Sequence, residues 1–160
     1  MEQTTNNNDI LEKQPLVSII VITYNSSKYV LETLESAKAQ TYQNIELIVS
    51  DDCSTDNTVE ICQEWIAKNK ERFVRTELIT AEKNTGIPAN CNRGVKSAQG
   101  EWVKLIAGDD ALLPDCIEYY LFYIKKNGSS VNSMGNMTGV GNLAILKICK
   151  TKNCMRSCWG

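Results

Sequence analysis

The sequence predicts an α/β protein with a mostly parallel sheet. Four apolar runs are each followed by a segment whose apolar residues recur at helical spacing. Such alternation is typical of right-handed βαβ units. Polar or acidic residues stand directly after the runs, where the carboxyl ends of parallel strands would meet at one edge of the sheet. With 160 residues, the chain is long enough for one ordinary domain of this class.

The first two strand–helix units have the clearest patterns. Residues 17–23 form an apolar, β-branched run that is typical of a central parallel strand, and a helix is predicted to extend to Gln40. The second run, 45–49, precedes a helix that we expect Ser54 or Thr55 to cap.

In the next two units, the pattern of the third strand is weaker than those of the first two. Residues 73–80 contain fewer apolar residues, and the turn at 84–88 starts a helix that extends to about Ser97. The fourth strand is predicted at 102–106, and Pro114 opens the last helix.

The pattern divides the chain into three parts. Residues 1–14 are polar and lack the basic and apolar regions of a secretory signal, so we expect a disordered leader. Residues 15–128 hold the α/β pattern. Residues 129–160 are predicted to be an irregular tail, with one short strand within 143–148.

Composition limits the kinds of partner. A net charge of −2 gives no reason to expect nucleic acid as a partner. No run of about 18 apolar residues occurs, so no transmembrane helix is predicted and a cytoplasmic location is expected by default.

The seven cysteines are scattered, and neither a CxxC pair nor a histidine occurs. The spacing of a zinc site is therefore missing, and Ser-His-Asp and Cys-His catalysis within the chain are excluded. We expect free, mostly buried thiols.

Two aspartate pairs, Asp51-Asp52 and Asp109-Asp110, directly follow the second and fourth strands. Because adjacent carboxylates repel one another, we expect them to face the ligand crevice of the sheet, where their oxygens suit Mg²⁺ or Mn²⁺. Ordinary helix capping is an alternative for the first pair, and a capping turn is an alternative for the second. Gly108 is expected to allow a sharp turn before the second pair.

The turn after the first strand, 23–27, has no glycine, which argues against a dinucleotide site. A diphosphate bound there would need a carboxylate-held cation. Tyr24, taken alone, is more typical of a packing aromatic than of a ligand contact. The GxGxxA match at 139–144 follows no predicted strand and is set aside.

These patterns together resemble the family 2 glycosyltransferases, which are inverting enzymes with a Rossmann-like GT-A fold that binds nucleotide-diphospho-sugars. The similarity covers about residues 15–127, so it corresponds to the N-terminal, donor-binding half of that fold. Its motifs lie in the family's order at 17–25 (VSIIVITYN), 51–58 (DDCSTDNT), 84–94 (NTGIPANCNRG), 108–110 (GDD) and 113–115 (LPD).

The resemblance implies roles for single residues. Tyr24 would lie against the base, and Asp52 would accept a hydrogen bond from uracil or its equivalent. Asp109 would lie near the ribose and the metal, and Asp110 would coordinate Mn²⁺ or Mg²⁺ as in the family's DXD motif. The implied nucleotide-sugar site comprises Tyr24, Asn25, Asp52, Asn84, Gly86 and Asp109.

The implied activity is transfer of a hexosyl group from a nucleotide-diphosphate sugar, with a UDP-sugar favoured. The acceptor would be a glycan or a lipid-linked molecule in polysaccharide or cell-surface glycan synthesis. Peripheral association with the inner face of the membrane would suit such an acceptor.

The chain departs from the family in three places. Ala107 stands where many members have the first Asp of Asp-x-Asp-Asp. Cys91 stands where many have Arg, with Arg93 two residues later. No Asp or Glu follows Glu118, so the carboxylate that would act as general base has no candidate. We therefore expect no catalytic residue, and a tail produced by C-terminal truncation or a change of reading frame.

Three alternatives remain open at this point. A non-catalytic fragment would bind sugar nucleotide only. A phospho-acceptor domain would need an acidic pair after the first strand, where Tyr24 and Asn25 stand. A nucleotidyltransferase would need a turn rich in glycine and arginine at that place.

Overall fold

The structure is a computed structural model that describes residues 14–127 and 145–147. The predicted leader up to residue 13, and the predicted tail apart from 145–147, lie outside the described residues. Within the described residues, no helix is long and apolar enough to cross a bilayer.

The described strands form one five-stranded sheet in the order β3-β2-β1-β4-β5. The first four strands pair in parallel, and the last pairs antiparallel with β4. This arrangement confirms the predicted mostly parallel sheet. The strands are β1 (Val17–Thr23), β2 (Ile45–Asp51), β3 (Arg75–Thr80), β4 (Trp102–Ala107) and β5 (Ile145–Lys147).

The parallel strands alternate with helices, as the sequence pattern predicts. The helices are α1 (Val30–Lys38), α2 (Thr58–Asn69), α3 (Ile87–Ser97) and α4 (Cys116–Asn127), with a 3₁₀ turn at Lys70–Arg72. The predicted cap of α2 is wrong, because the helix begins after Asn57 and not after Ser54 or Thr55. Ser54 is engaged elsewhere, and Asp56 Oδ1 accepts the hydrogen bond from Thr58 N at 3.0 Å.

Alternate residues of the strands face two separate cores. On one face, the cluster that includes Ile19 and Leu47 packs against apolar residues of α1, α2 and α4. On the other face, Ile20 and Ile48 belong to a smaller cluster that includes Val95 of α3. Helices therefore cover both faces of the sheet.

A buried carboxylate joins the strands to the end of α3. Glu46 is completely buried, and it accepts hydrogen bonds from Ser18 Oγ at 2.5 Å, Gln99 N at 2.6 Å, Gly100 N at 3.0 Å and Arg75 Nη1 at 3.0 Å. Burial alone would raise the pKa of Glu46, but these donors outweigh it and lower that pKa.

The strand order places a crevice at the carboxyl end of β1. The chain adds β2 and β3 on one side of β1 and β4 on the other, so the order of strands reverses there. Thr23 is level with Asp51, and Ile22 is level with Ala107. The residues that follow these strands consequently emerge at one edge of the sheet.

Four cysteines lie among the described residues, and all are free thiols. Cys62, Cys91 and Cys116 are buried, and Cys53 is half-buried, which confirms the prediction for this part of the chain. Burial raises the pKa of Cys62 to about 12, so that thiol stays protonated.

Candidate functional site

The turn after β1 is held by the loop after β2. Tyr24 is 48% exposed at the end of the strand. Asn25 adopts the left-handed conformation with φ 51°, donates its backbone N–H to Ser54 Oγ at 2.8 Å and accepts from Thr55 N through Oδ1 at 2.8 Å. The Asn25 side chain therefore joins this turn to the loop after β2, and Tyr24 beside it is exposed.

Asp51 is a structural residue. It is 1% exposed, and its carboxylate accepts hydrogen bonds from Thr23 Oγ1 at 2.7 Å, from Ser54 N at 2.8 Å and from Ser54 Oγ at 2.5 Å. We expected this carboxylate to face the crevice, but it is directed instead into the junction between β1 and the following loop. Donors from both elements make that burial possible.

Asp52 is also buried, at 3% exposure, and it holds the loop after β3. Its Oδ2 accepts from Thr85 N at 2.9 Å and from Gly86 N at 2.7 Å. Its Oδ1 accepts from Thr85 Oγ1 at 2.6 Å and from Arg93 Nη2 at 3.2 Å. Burial opposes ionisation, yet these hydrogen bonds outweigh it and lower the pKa of Asp52.

A carboxylate offers about four lone-pair directions, and those of Asp52 are all used within the chain. A base that bonds directly to Asp52 must therefore replace one of these donors. Direct contact between Asp52 and a base stays a prediction.

Arg93 is the site residue whose role the sequence did not establish. Besides Asp52, its guanidinium donates to Thr85 Oγ1 at 2.8 Å and to Asn90 Oδ1 at 2.9 Å. Helical spacing was the available signal, since Asn90 and Arg93 are three residues apart on one face of α3, and Gly86 precedes the helix four residues before Asn90.

The loop after β3 combines an exposed amide with a glycine that the backbone requires. Asn84 is exposed, and its Oδ1 accepts from Gly86 N at 3.1 Å. Gly86 has φ 87°, a conformation that residues with a Cβ rarely adopt. Because Asp52 binds the next two residues, Asn84 is presented beside the buried carboxylate.

The loop after β4 approaches the turn after β1 closely. Gly108 N donates to Ile22 O at 2.9 Å, and a Cβ at this glycine would lie 2.8 Å from Thr23 Cγ2. The chain turns at Gly108 as expected, since Asp110 N donates to Ala107 O at 3.1 Å, and the glycine is also required for the close approach to Thr23. Asp109 is exposed and Asp110 is half-buried, and Thr33 Oγ1 donates to Asp110 O at 2.7 Å.

Asp109 and Asp110 do not form a metal site made of protein ligands alone, but they suit a site that substrate phosphates and water complete. Nowhere in the described part of the chain do three or more His, Cys, Asp or Glu side chains gather in a way that could hold a metal ion. Mg²⁺ is often bound by only one or two carboxylates, with substrate phosphates and water supplying the remaining oxygens. Asp109 and Asp110 fit that arrangement, in which the metal binds together with a diphosphate.

The geometry brings the predicted site residues to one edge. The segments that carry Tyr24 and Asn25, Asp52, Asn84 and Gly86, and Asp109 and Asp110 all follow parallel strands at their carboxyl ends. Hydrogen bonds join the first three segments to one another, and the close approach of Gly108 to Thr23 adds the fourth.

Among known proteins, two bacterial relatives illustrate the sequence similarity. Chondroitin synthase of Escherichia coli is 37% identical over 118 residues, which are 73% of this chain and 16% of that protein. Glycosyltransferase GlyG of Streptococcus pneumoniae serotype 4 is 34% identical over 116 residues, which are 72% of this chain and 37% of that protein. The chain spans less than half the length of the curated relatives that it matches.

Two solved structures illustrate the similarity of fold. S. aureus TarS 1-349 in complex with UDP superposes with a TM-score of 0.61 at 32% identity, covering 69% of this chain and 32% of that chain. Mannosyltransferase PcManGT from Pyrobaculum calidifontis, in complex with GDP-Man and Mn²⁺, gives a TM-score of 0.64 at 25% identity and covers 69% of this chain and 32% of that chain. These matches confirm the predicted GT-A fold.

The family model described as glycosyl transferase family 2 matches residues 18–144, which is well over half of the chain. That match includes all four strand-end segments and agrees with the order of motifs in the sequence. The chain belongs to glycosyl transferase family 2.

Proposed function

We propose that this chain is the donor-binding part of a glycosyltransferase that transfers a sugar from a nucleotide-diphosphate sugar in polysaccharide or cell-surface glycan synthesis. The observation that carries the proposal is the common edge where Tyr24, the loop held by Asp52 and the pair Asp109-Asp110 meet at the reversal of strand order. Open α/β sheets bind ligands at such a point.

The two structural neighbours support a nucleotide-sugar donor. One TarS structure is a complex with UDP-GlcNAc, and the PcManGT structure contains GDP-Man. We favour a UDP-sugar for this chain because TarS is the more similar of the two in sequence, at 32% against 25% identity.

We propose that the donor's base lies against the exposed ring of Tyr24, beside Asn25. Asp52, Asn84 and Gly86 form the base end of the site, where the buried carboxylate holds the loop and Asn84 is exposed to the ligand. Asp109 follows β4, on the other side of β1 from β2 and β3, and we propose that it meets the ribose and the metal.

The proposed metal is Mn²⁺ or Mg²⁺, held by Asp110 with Asp109 and by the donor's diphosphate. Such an ion neutralises the negative charge that a nucleoside diphosphate develops as it leaves. Mn²⁺ in the PcManGT complex supports a divalent ion without deciding between the two metals.

The acceptor is proposed to be a glycan or a lipid-linked molecule, handled in the cytoplasm at the inner face of the membrane. Inverting transfer requires a general base for the acceptor hydroxyl. The residues assigned above all belong to the proposed donor site, and none of them is proposed as that base.

Calorimetric titration with UDP, with and without Mn²⁺, tests the donor site. Wild type should bind UDP more tightly with Mn²⁺, and Asp110→Asn should lose that gain, which we expect to be on the order of tenfold. Asp115→Asn is a matched control, because Asp115 is an exposed acid just outside the loop.

Folding of each protein is checked by circular dichroism. A folded wild type that binds no UDP in either condition would show the donor site to be wrong. Equal metal dependence in wild type and Asp110→Asn would remove only the metal assignment.

A further inference from the structure

Polar side chains of α1 hold the loop between β4 and α4 by its backbone. Thr33 and Ser36 are three residues apart on α1, and Gln40 lies two residues beyond the end of that helix. Thr33 Oγ1 donates to Asp110 O at 2.7 Å, and Ser36 Oγ accepts from Leu112 N at 3.0 Å. We infer that Thr33 and Ser36 are positioning residues, which fix the loop that carries the proposed metal ligands and thereby set how tightly a divalent ion and a diphosphate are bound.

The first step of the inference is that the loop has little packing of its own. From Asp109 to Asp115 every side chain is exposed or half-buried, and Leu113 is 74% exposed. Leu112 packs against the apolar core, but the side chains next to it in sequence are exposed or half-buried. Hydrogen bonds to the backbone therefore carry much of the loop's position.

The second step is that α1 and the residues after it supply such bonds along the whole loop. Gln40 is 2% exposed; its Nε2 donates to Leu113 O at 2.7 Å, and its Oε1 accepts from Ile117 N at 3.2 Å. Thr41 N donates to Pro114 O at 2.8 Å. These bonds continue the two made by α1 itself, so the position of the loop depends on that of α1.

The third step separates positioning from direct contact. Thr33 is 0% exposed, so its side chain cannot reach a ligand in the crevice. A threonine within a helix commonly donates to a carbonyl in the preceding turn, whereas Thr33 donates to a carbonyl 77 residues away. Because that carbonyl belongs to the main chain of Asp110, the bond acts on the backbone of the loop and not on the carboxylate.

The fourth step is the consequence of this bond for binding. A loop that is already ordered loses less conformational freedom when it binds a ligand. Thr33→Val keeps the shape of the side chain but removes the donor, so the free protein samples more conformations of the loop. The ion and the diphosphate must then order the loop as they bind, which weakens their binding.

The inference rests on the proposed function, and calorimetric titration of UDP with and without Mn²⁺ tests it. Thr33→Val should lower the affinity for UDP in Mn²⁺ on the order of fivefold, because one hydrogen bond to the loop is lost. The affinity for UDP without Mn²⁺ should not change. Ser36→Ala should act in the same direction, and Thr33→Ser, which restores the donor, should recover most of the affinity.

A double variant tests whether Thr33 acts through Asp110. In Asp110→Asn the proposed metal ligand is already lost, so adding Thr33→Val should cause no further loss of affinity in Mn²⁺. A further loss of the same size in that background would mean that Thr33 acts independently of Asp110, which overturns the inference.

Ile48→Val controls for a general loss of stability. Ile48 is completely buried in the smaller apolar cluster, on the face of the sheet opposite to α1. Removing one methylene there should lower the melting temperature slightly and leave the Mn²⁺ dependence of UDP binding unchanged. Circular dichroism and thermal melting are measured for each variant.

Each contrary result has its own meaning. If wild type gains affinity from Mn²⁺ and Thr33→Val keeps that gain, the inference is overturned and the proposed donor site stands. The same holds if Thr33→Val weakens UDP equally with and without Mn²⁺, or if Ile48→Val loses the gain to the same extent. A wild type that gains nothing from Mn²⁺ would overturn the metal assignment, and the inference with it.

Discussion

The two pairs of adjacent aspartates have different surroundings in this molecule. Asp51 and Asp52 are 1% and 3% exposed, and donors from several elements surround them. Asp109 is exposed on its loop. The difference arises because the first pair lies where three loops converge, and carboxylates can be buried there only with a full set of donors.

Gly94 provides a test of packing at the scale of one residue. A Cβ there would lie 2.4 Å from Ile20 Cγ2, so α3 sits as close to β1 as a glycine allows. Gly94→Ala should destabilise the fold by about 1–3 kcal/mol through overpacking, although alanine is the better helix former. Urea unfolding measures the change.

Lys96→Ala, at an exposed site on the same helix, is the control for this experiment and should change stability by less than about 0.5 kcal/mol. Equal stability of Gly94→Ala and wild type would mean that α3 packs less closely on β1 than the distance indicates.

The sequence predicted which residues stand at strand ends, but not which partners they have. Asp52 was identified by its place after an apolar run, which is local information. Its bond to Arg93 spans 41 residues and depends on how α3 crosses the sheet. The same limit applies to Asp51, whose partner Thr23 lies 28 residues away.

Among the elements, α2 begins at a junction that depends on one carboxylate. Asp56 Oδ1 accepts from Thr58 N at 3.0 Å and from Thr58 Oγ1 at 2.5 Å, and Oδ2 accepts from Ser27 N at 3.2 Å. Burial opposes ionisation, but these bonds outweigh it and lower the pKa of Asp56 to about 2. Asp56 thereby joins the start of α2 to the turn before α1.

Stability should consequently fall in acid. The folded-state pKa of Asp56 is about 2, below the ordinary 3.8, so its contribution is complete above about pH 4 and is lost as the pH falls through about 2. Asp56→Asn should cost about 1–2 kcal/mol near pH 7, after allowance for solvent screening, and the difference from wild type should shrink towards pH 2.

Urea unfolding across this pH range measures the effect of Asp56→Asn. Glu64→Gln, at an exposed position on α2, serves as the control and should show little change at any pH. A constant difference between wild type and Asp56→Asn from pH 7 to pH 2 would contradict the assigned role of the carboxylate.

The ends of a strand were predicted more accurately where the strand is richer in apolar residues. β1 has the predicted bounds, because every residue of the run is apolar, β-branched or small. β2 extends two residues beyond the predicted 45–49, since Ser50 and Asp51 are polar but continue the parallel pairing. β3 begins two residues later than predicted and is only half-buried, which explains its weak pattern.

At the scale of the whole molecule, the strand order predicts that resistance to local unfolding decreases from the central strand β1 to the edge strand β3. β1 lies between two strands and is almost wholly buried, whereas β3 lies at an edge and is half-buried to exposed. Local opening should begin where fewer contacts must be broken. The loop with Asn84 follows the edge strand, while Tyr24 follows the central one.

Amide hydrogen exchange, followed by mass spectrometry, would measure this gradient. Amides of β1 should exchange slowest and those of β3 faster, with the protection of residues 81–86 closer to β3 than to β1. UDP should slow exchange at 81–86 more than at residues 17–23, which are already protected. Equal protection of β1 and β3 without ligand would contradict the gradient.

The left-handed backbone at Asn25 and Cys53 has a consequence for engineering. Their φ values are 51° and 66°, and both residues stand in loops at the carboxyl ends of neighbouring strands. Asparagine tolerates this conformation, but a cysteine held in it stores conformational energy of about 1–3 kcal/mol. A glycine would release that energy and would also let the rim of the crevice relax. Making this molecule more heat-resistant and keeping its ligand rim rigid are therefore opposed aims at residue 53.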